Sequence, residues 1–550
     1  MAVSNRVRAA LTTTVLTTAA TGYLAGCSIG GDDQVAYCTD ENGEIVDDDY
    51  CDDDYHGPGA GLFFLYLGGF RTGLPVGTVL PRGGTRINPT DTVARSRAGL
   101  PSTGKVSGGQ RISGGLGSGL GGRAGTAGGY RPLVRRIEGG IVRPGWEAEI
   151  QAQGLVYNRT DLPGGEVRSY WREGPFYDFS LAEVERLEGW VAQLFDMCVA
   201  AGDHVVDNDL FDRMRIPPMA RPQIRRTWEA EPPSVYARFD LRYDGEGPPK
   251  LLEFNADTPT GLVESAVTQW NWHLFTGQGR DQWNALHDKL VAAWQRNLLK
   301  WERRTGLRPR VHLAWTSEET SGEDRMTVAY LMDTVVQAGY EAIELVVEDI
   351  VLDDGDGRFY DQQGRHLDVV FKLYPWEWLI EDEFGPAVLA DSARPGGTTW
   401  VEPAYKMLWS TKALLPVLWQ LFGSDPVLGE LLLPAYFADE MPSSWRTYVR
   451  KPLLGREGAN VAIVRDGAVA EQLPGRYGTE GFVVQEFAPL PDFAGVDGPH
   501  HPVLGAWVVD GEPAGLGIRE SDGLITDNLS YFVPHTVDHS PPRAKRRPPT

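Results

Sequence analysis

Apolar positions along the chain fall into distinct regimes. In residues 181–199 they recur at Leu181, Val184, Leu187, Val191, Leu194, Phe195 and Cys198. That is the spacing of one helical face, and Ser180 with Glu183 three residues on supplies a start signal. Similar spacing predicts helices over residues 261–275, 283–303, 324–338 and 405–422. Short runs rich in β-branched and aromatic residues alternate with them, at 235–243, 250–254, 311–315, 369–373, 445–449, 461–464, 482–487 and 504–509. These read as strands. The mixture, with hairpin-like pairs late in the chain, predicts an α+β or α/β fold over residues 133–539.

The flanks lack this pattern. Residues 31–130 are first acidic and then, from about 57, dense in Gly with Ser, Arg and Pro. Such a stretch buries too little apolar surface to offset its ordering entropy, so it reads as disordered or as a linker. The apolar patch at 62–67 is its exception. The acidic run at 47–54 lacks the spacing of an EF-hand loop and reads as solvated charge. In residues 1–30, Arg6 and Arg8 precede an Ala/Thr/Leu stretch, and Leu24-Ala25-Gly26-Cys27 resembles a lipoprotein cleavage site. Residues 540–550 form a basic, proline-rich tail.

Composition then excludes some classes. At 550 residues the chain exceeds what one core serves. A net charge of −23 disfavours nucleic acid as a partner. The cysteines are Cys27, Cys38, Cys51 and Cys198, with no CxxC pair, so neither a zinc site nor a redox motif is supported. Past the N-terminus no apolar run reaches membrane-spanning length.

The most informative segment is Tyr236-Ala237-Arg238-Phe239-Asp240, a Gly/Pro-rich turn, then Leu252-Glu253-Phe254-Asn255. It reads as a β-hairpin. With the turn centred between Glu246 and Gly247, Asp240 faces Glu253 and Arg238 faces Asn255, all on one side, while Phe239, Leu252 and Phe254 face the core. Opposed carboxylates destabilise a hairpin unless something neutralises them. Two carboxylates and an amide oxygen suit Mg²⁺ carried in with nucleotide phosphates. The plainer alternative is a solvent-facing strand, which leaves the Arg-x-Asp and Glu-x-Asn symmetry unexplained.

Two further clusters lie downstream. Tyr448-Val449-Arg450-Lys451 leads into Gly455-Arg456-Glu457-Gly458. The lysine precedes the glycines on a strand, so this is no Walker A loop. The order suits a hairpin flap whose backbone N–H groups and Lys451 meet phosphates, although Gly-rich turns with a surface lysine are common. The apolar strand Phe482-Val483-Val484-Gln485-Glu486-Phe487-Ala488 is of a kind that offers backbone groups to an adenine edge.

Arg238-Phe239-Asp240 with Leu251-Leu252-Glu253-Phe254-Asn255-Ala256-Asp257-Thr258-Pro259-Thr260 resembles the signature of the glutathionylspermidine synthase family. The resemblance implies an ATP-grasp fold with a pre-ATP-grasp region, and ligation of a carboxylate to an amine through an acyl phosphate. It implies ATP and Mg²⁺ as cofactors, with Asp240, Glu253 and Asn255 holding the metal. Arg238 would sit beside the transferring phosphoryl group, and Arg519, in Gly515-Leu516-Gly517-Ile518-Arg519-Glu520, would stabilise charge there. ATP would meet Arg238, Lys412, Lys451, Gly455, Gly458, Gln485, Glu486, Phe487 and Ala488. Thr258, Glu318 and Glu319 would contact the carboxylate, a thiol-peptide-like molecule, and the amine would be polyamine-like. An acidic helix start is an equal reading of Glu318 and Glu319.

The first 130 residues show nothing of the amidase domain that bifunctional members carry. A different class stays open: a catalytically inactive nucleotide-binding or envelope-associated module of the same fold. Because ATP is cytoplasmic, the catalytic domain is expected there. Membrane attachment would require a lipid on Cys27, and pairing of Cys38 with Cys51 would require an oxidising compartment.

Overall fold

The computed structural model describes residues 135–538, apart from 162–164, 166, 494–497 and 528, and parts of the stretch between 34 and 112. The export-like segment with Cys27, most of the Gly-rich stretch and the basic tail lie outside the described residues. The chain divides into two compact units between Gly129 and Tyr130.

In the N-terminal unit four short antiparallel strands form one sheet, in the order Thr85–Ile87, Phe64–Gly68, Gln34–Thr39 and Gln110–Ile112. The apolar patch expected to be the exception supplies the strand Phe64–Gly68. Ala36, Cys38, Cys51, Leu65, Ile87 and Val106 pack together, and Cys38 is disulfide-bonded to Cys51. For these residues the structure shows a small sheet rather than the linker expected. A cross-link and a few buried side chains stand in for a large core.

The larger unit mixes α and β. A five-stranded antiparallel sheet runs Lys250–Asn255, Tyr236–Arg242, His501–Val509, Glu512–Ser521 and Tyr531–Phe532. Alternation along Tyr236–Arg242 feeds both of its faces. Ala237, Phe239 and Leu241 join one core with the helix Leu181–Asp207. Tyr236 joins a second core, after which Arg238 and Asp240 continue that face into a cavity. The second core also holds Leu286, Leu290, Trp294, Leu298 and Trp301, a stripe along the helix Leu286–Thr305. It covers a four-stranded parallel sheet of Glu341–Val346, Arg310–Trp315, Val369–Lys372 and Thr399–Val401.

A second five-stranded antiparallel sheet runs Ala435–Phe437, Phe482–Glu486, Tyr448–Pro452, Ala462–Arg465 and Ala468–Gln472. Its position corrects the strand expected at 445–449, because Trp445 lies in a turn ahead of Tyr448. The helix expected at 405–422 is broken. A turn at Met407–Ser410 and a helix Leu414–Phe422 flank an extended Thr411, and the Lys412 amide donates to the Leu453 carbonyl at 2.8 Å. The start signal of the long helix is half used. Ser180 makes no side-chain cap, while buried Glu183 accepts from the Ser180 backbone and from the Tyr243 hydroxyl.

Candidate active site

The hairpin pairs Asp240 with Glu253 and Arg238 with Asn255. It reaches that register by an unexpected route. Nearer the turn, Lys250 pairs with Arg242 and Leu251 with Leu241, and a β-bulge at Leu252 then shifts the ladder by one residue. Leu252 is therefore not a core residue. It is half-buried and lines the cavity. Phe239 and Phe254 do face the core, stacked at 3.9 Å between ring centroids. Opposite Asp240 in the next strand stands Gly505, where a Cβ would lie 3.0 Å from Arg238 Cδ. Glycine there leaves room for the guanidinium to lie along the sheet.

The carboxylates are neutralised from within. Arg238 donates to both Asp240 oxygens at 2.7 and 3.1 Å, and Arg519 adds a bond to Asp240 at 2.7 Å. Lys412 Nζ lies 3.0 Å from Glu253, and the Asn255 amide nitrogen donates to Glu253 at 2.9 Å. Burial pushes the Glu253 carboxyl up, but the Lys412 charge, the Asn255 bond and Lys451 overcome it and hold the group well below the usual range. It stays ionised. Among the described residues no three His, Cys, Asp or Glu side chains cluster as a metal site; the donor set here is two carboxylates and an amide.

Across the cavity, Lys451 donates to the Leu252 carbonyl at 2.9 Å and to Gln485 Oε1 at 2.7 Å. Gln485 also donates to the Leu251 carbonyl at 3.0 Å, so its side chain ties the two sheets together. Burial pulls the Lys451 ammonium down to about 8, despite the Glu253 carboxylate nearby. Lys412 also donates to the Gly455 carbonyl. Gly458 has φ of 69°, and a Cβ there would meet the Thr526 carbonyl at 2.6 Å; only glycine fits both constraints. Glu486, Phe487 and Ala488 line the same cavity beside Leu433, Val449, Ile463 and Leu490, and the Glu486 amide is spent on the Pro434 carbonyl. Arg238, Asp240, Glu253, Asn255, Thr258, Lys412, Lys451, Gly455, Gly458, residues 485–488 and Arg519 thus share one cavity.

Glu318 and Glu319 do not. They line a second, larger cleft that meets the first at Arg238, Thr258, Thr260, Arg456, Glu457 and Arg519. Glu319 accepts the amides of Ser321, Gly322 and Asp324, the last two at 3.0 and 3.4 Å. That binds its carboxylate to the start of the helix Glu323–Gln337. The cleft is lined by ten carboxylate residues and five arginines, a surplus that favours cations.

Several residues of the junction escaped the sequence reading. Arg456 donates to Thr258 Oγ1 at 2.9 Å and to Glu377 at 2.6 Å, pinning the Gly-rich loop across the junction. A lone arginine between two required glycines was the available signal. Asp257 accepts from Lys372 Nζ at 2.6 Å and from the Trp376 amide at 2.8 Å, and both ionic partners are buried. This pair fastens the hairpin's exit loop to the parallel sheet. Fully buried Glu402 accepts the Val235 and Tyr236 amides at 2.8 and 3.1 Å and anchors the other end.

Residues 139–538 match the family model described as glutathionylspermidine synthase pre-ATP-grasp. A Haemophilus influenzae protein named as an acid–amine ligase is 35% identical over 412 residues, covering 73% of this chain and 99% of that one. Trypanothione synthetase of Crithidia fasciculata is 27% identical over 365 residues, 62% of this chain and 53% of that protein. The bifunctional glutathionylspermidine synthetase/amidase of Escherichia coli is 25% identical over 417 residues, 71% and 62% respectively. Of these last two the chain spans little more than half the length. The chain belongs to the glutathionylspermidine synthase pre-ATP-grasp family. That places it among the acid–amine ligases, enzymes that form a C–N bond.

Proposed function

We propose that the chain is an ATP- and Mg²⁺-dependent ligase of ATP-grasp architecture that converts a small carboxylate to an acyl phosphate and passes it to an amine. One observation carries this reading: the carboxylates of a single hairpin face two buried lysines and two arginines in a cavity that opens onto an acid-rich cleft. Asp240, Glu253 and Asn255 present hard oxygen donors on one wall and would hold Mg²⁺. When bound, the ion supplies charge neutralisation along the phosphates.

Lys412, Lys451 and the backbone around Gly455 and Gly458 bind the phosphates, and residues 485–488 with their apolar neighbours take the adenine. Arg238 and Arg519 stand at the junction, where the carboxylate oxygen must reach the γ-phosphoryl group. Thr258 orients the carboxylate there, with Glu318 and Glu319 farther along the cleft. The surplus of acids suits a cationic, polyamine-like amine, and the relatives' names suggest a thiol-peptide-like acid. The test is an ADP-release screen of carboxylates against amines with the full-length chain. ADP should appear only with Mg²⁺ and a matched pair. No ADP with any pair would favour a silent nucleotide-binding module.

One observation favours an envelope location instead of the cytoplasmic one expected from the need for ATP. The Cys38–Cys51 disulfide belongs to an oxidising compartment. Among the described residues no helix is long and apolar enough to cross a membrane. Intact-mass analysis of the native protein decides the matter: a chain starting at lipid-modified Cys27 means the envelope, and an unprocessed reduced chain means the cytoplasm.

A further inference from the structure

Beside the junction two carboxyls lie within electrostatic reach of each other, and the phosphate and metal contacts proposed above use neither. Glu264 is fully buried. Its Oε1 accepts the hydroxyls of Tyr157 and Tyr170, the latter at 2.8 Å, while its Oε2 has no hydrogen-bond partner. Glu323, half-buried at the start of the helix Glu323–Gln337, lines the acceptor cleft and is hydrogen-bonded to Thr260. The Thr260 carbonyl in turn accepts Arg238. Glu323 therefore stands one residue from the guanidinium that grips Asp240. It faces Glu264, Asp324 and Glu457, with the Tyr157 and Tyr170 phenols and Arg519 beyond.

An acidic helix start is usually wet and needs no explanation. A buried carboxylate with one oxygen unsatisfied and a second carboxyl beside it is costly in every direction. Burial and the Glu264 charge push Glu323 up to about 8. Burial and Glu319 push Asp324 up to about 7. Carboxyls so placed exchange protons near neutral pH, as ordinary ones cannot.

We propose that Glu323, backed by Glu264, is the catalytic base that takes a proton from the attacking amine. The assignment rests on the ligase reading above. The amine enters as an ammonium ion with three N–H bonds. One proton passes to a Glu323 oxygen, and the freed lone pair forms the C–N bond to the acyl carbon. The C–O bond to phosphorus-bound oxygen breaks, and its electron pair leaves with the phosphate. A second proton leaves nitrogen for that phosphate as the amide forms, and the third remains on the amide. Glu323 returns its proton to solvent through the open cleft. Glu264 does not touch the amine; it is a positioning residue that keeps Glu323 basic.

Hydroxylamine separates this role from a structural one, because it is uncharged at neutral pH and attacks an acyl phosphate without a base. Full-length wild type, Glu323→Gln and Glu264→Gln are supplied with ATP, Mg²⁺ and a panel of glutathione, dipeptides and free amino acids. Either hydroxylamine or spermidine serves as acceptor. In Glu323→Gln, hydroxamate formation should stay within about twofold of wild type, while transfer to spermidine should fall about 10²- to 10³-fold, the range for loss of a general base. In Glu264→Gln the pH at which spermidine transfer rises should move down by about one unit, as expected when a facing charge is removed. Equal losses with both acceptors, or unchanged spermidine transfer in Glu323→Gln, would overturn the assignment. A wild type that yields no hydroxamate with any acid would refute the ligase reading itself, which is a different result.

Discussion

The two five-stranded sheets that border the cavity handle charge in opposite ways. The sheet carrying the carboxylate hairpin is covered on both faces, and it matches one of its two cavity carboxylates at home. Asp240 has two arginines, both from that sheet. The second sheet is covered less completely. Its outer strand Ala468–Gln472 is largely exposed, with Val469 56% accessible. Its one buried ammonium at the cavity, Lys451, has no anion of its own and leans on Leu252 and Glu253 of the opposing hairpin. Lys412, from the broken helix segment, does the same with Glu253. The self-neutralised cluster of Asp240 and its arginines holds geometry. A cationic wall borrowing partners across a gap is ready to exchange them for phosphate oxygens at little cost.

If the walls differ in this way, the largest effects belong to the matched side. Asp240→Asn and Glu253→Gln should each lower turnover by about a thousandfold or more; each also strands buried cations, so the melting temperature should fall, while the conserved volume keeps the fold. Near-normal ADP release in the double variant would rule out the metal assignment. Arg456→Ala should come next, with kcat/KM down by about a hundredfold. It removes two charge-assisted bonds across the junction and strands Glu377. A change in melting temperature alone, with normal kinetics, would make Arg456 a clasp only.

Lys451→Ala should weaken ATP binding by roughly ten- to a hundredfold, the worth of a bond to a charged group. Lys451 titrates near 8 when buried, whereas an unfolded lysine does so near roughly 10.4. The folded chain thus binds fewer protons between these values, and its ligand-free stability should rise with pH across that window. ATP affinity should fall over the same window as the charge is lost, and Lys451→Arg should abolish that fall. Affinity that is flat to pH 10 in wild type would place the phosphates elsewhere. The smallest effect is expected at the flap's edge, where Val469→Lys should change stability by less than about 0.5 kcal/mol. A larger loss in a melting experiment would mean that this strand is covered.

Much of this was legible along the chain. Periodicity located the long helices, though the first runs on to Asp207, well past the expected end at 199, and alternation in Tyr236–Arg242 separated core-facing Phe239 from cavity-facing Arg238 and Asp240. The shared face of the hairpin's polar groups could be read because side chains alternate with period two, and its facing pairs followed from a turn centre that holds only beyond the bulge. The bulge that produces them could not, because Leu252 carries no mark of its own. The small N-terminal sheet was missed for a related reason. Its glycine content argued against order, while a disulfide and a handful of apolar residues sufficed to pack it.

The sequence by itself determined the chemistry available: opposed carboxylates on one strand face, a lysine leading a Gly-rich turn, an apolar strand beside it. Those follow from local rules of pleat and turn, which act over a few residues. Tertiary structure decided which of these groups meet. It bent the chain at Thr411 so that Lys412 reaches Glu253. It placed Arg456 between Thr258 and Glu377, and clamped Asp257 to Lys372. It also brought Glu264 and Glu323 within electrostatic reach of each other. Each of these contacts joins residues tens to hundreds of positions apart. Their strength comes from burial and from the partner's charge, and neither exists until distant segments have packed.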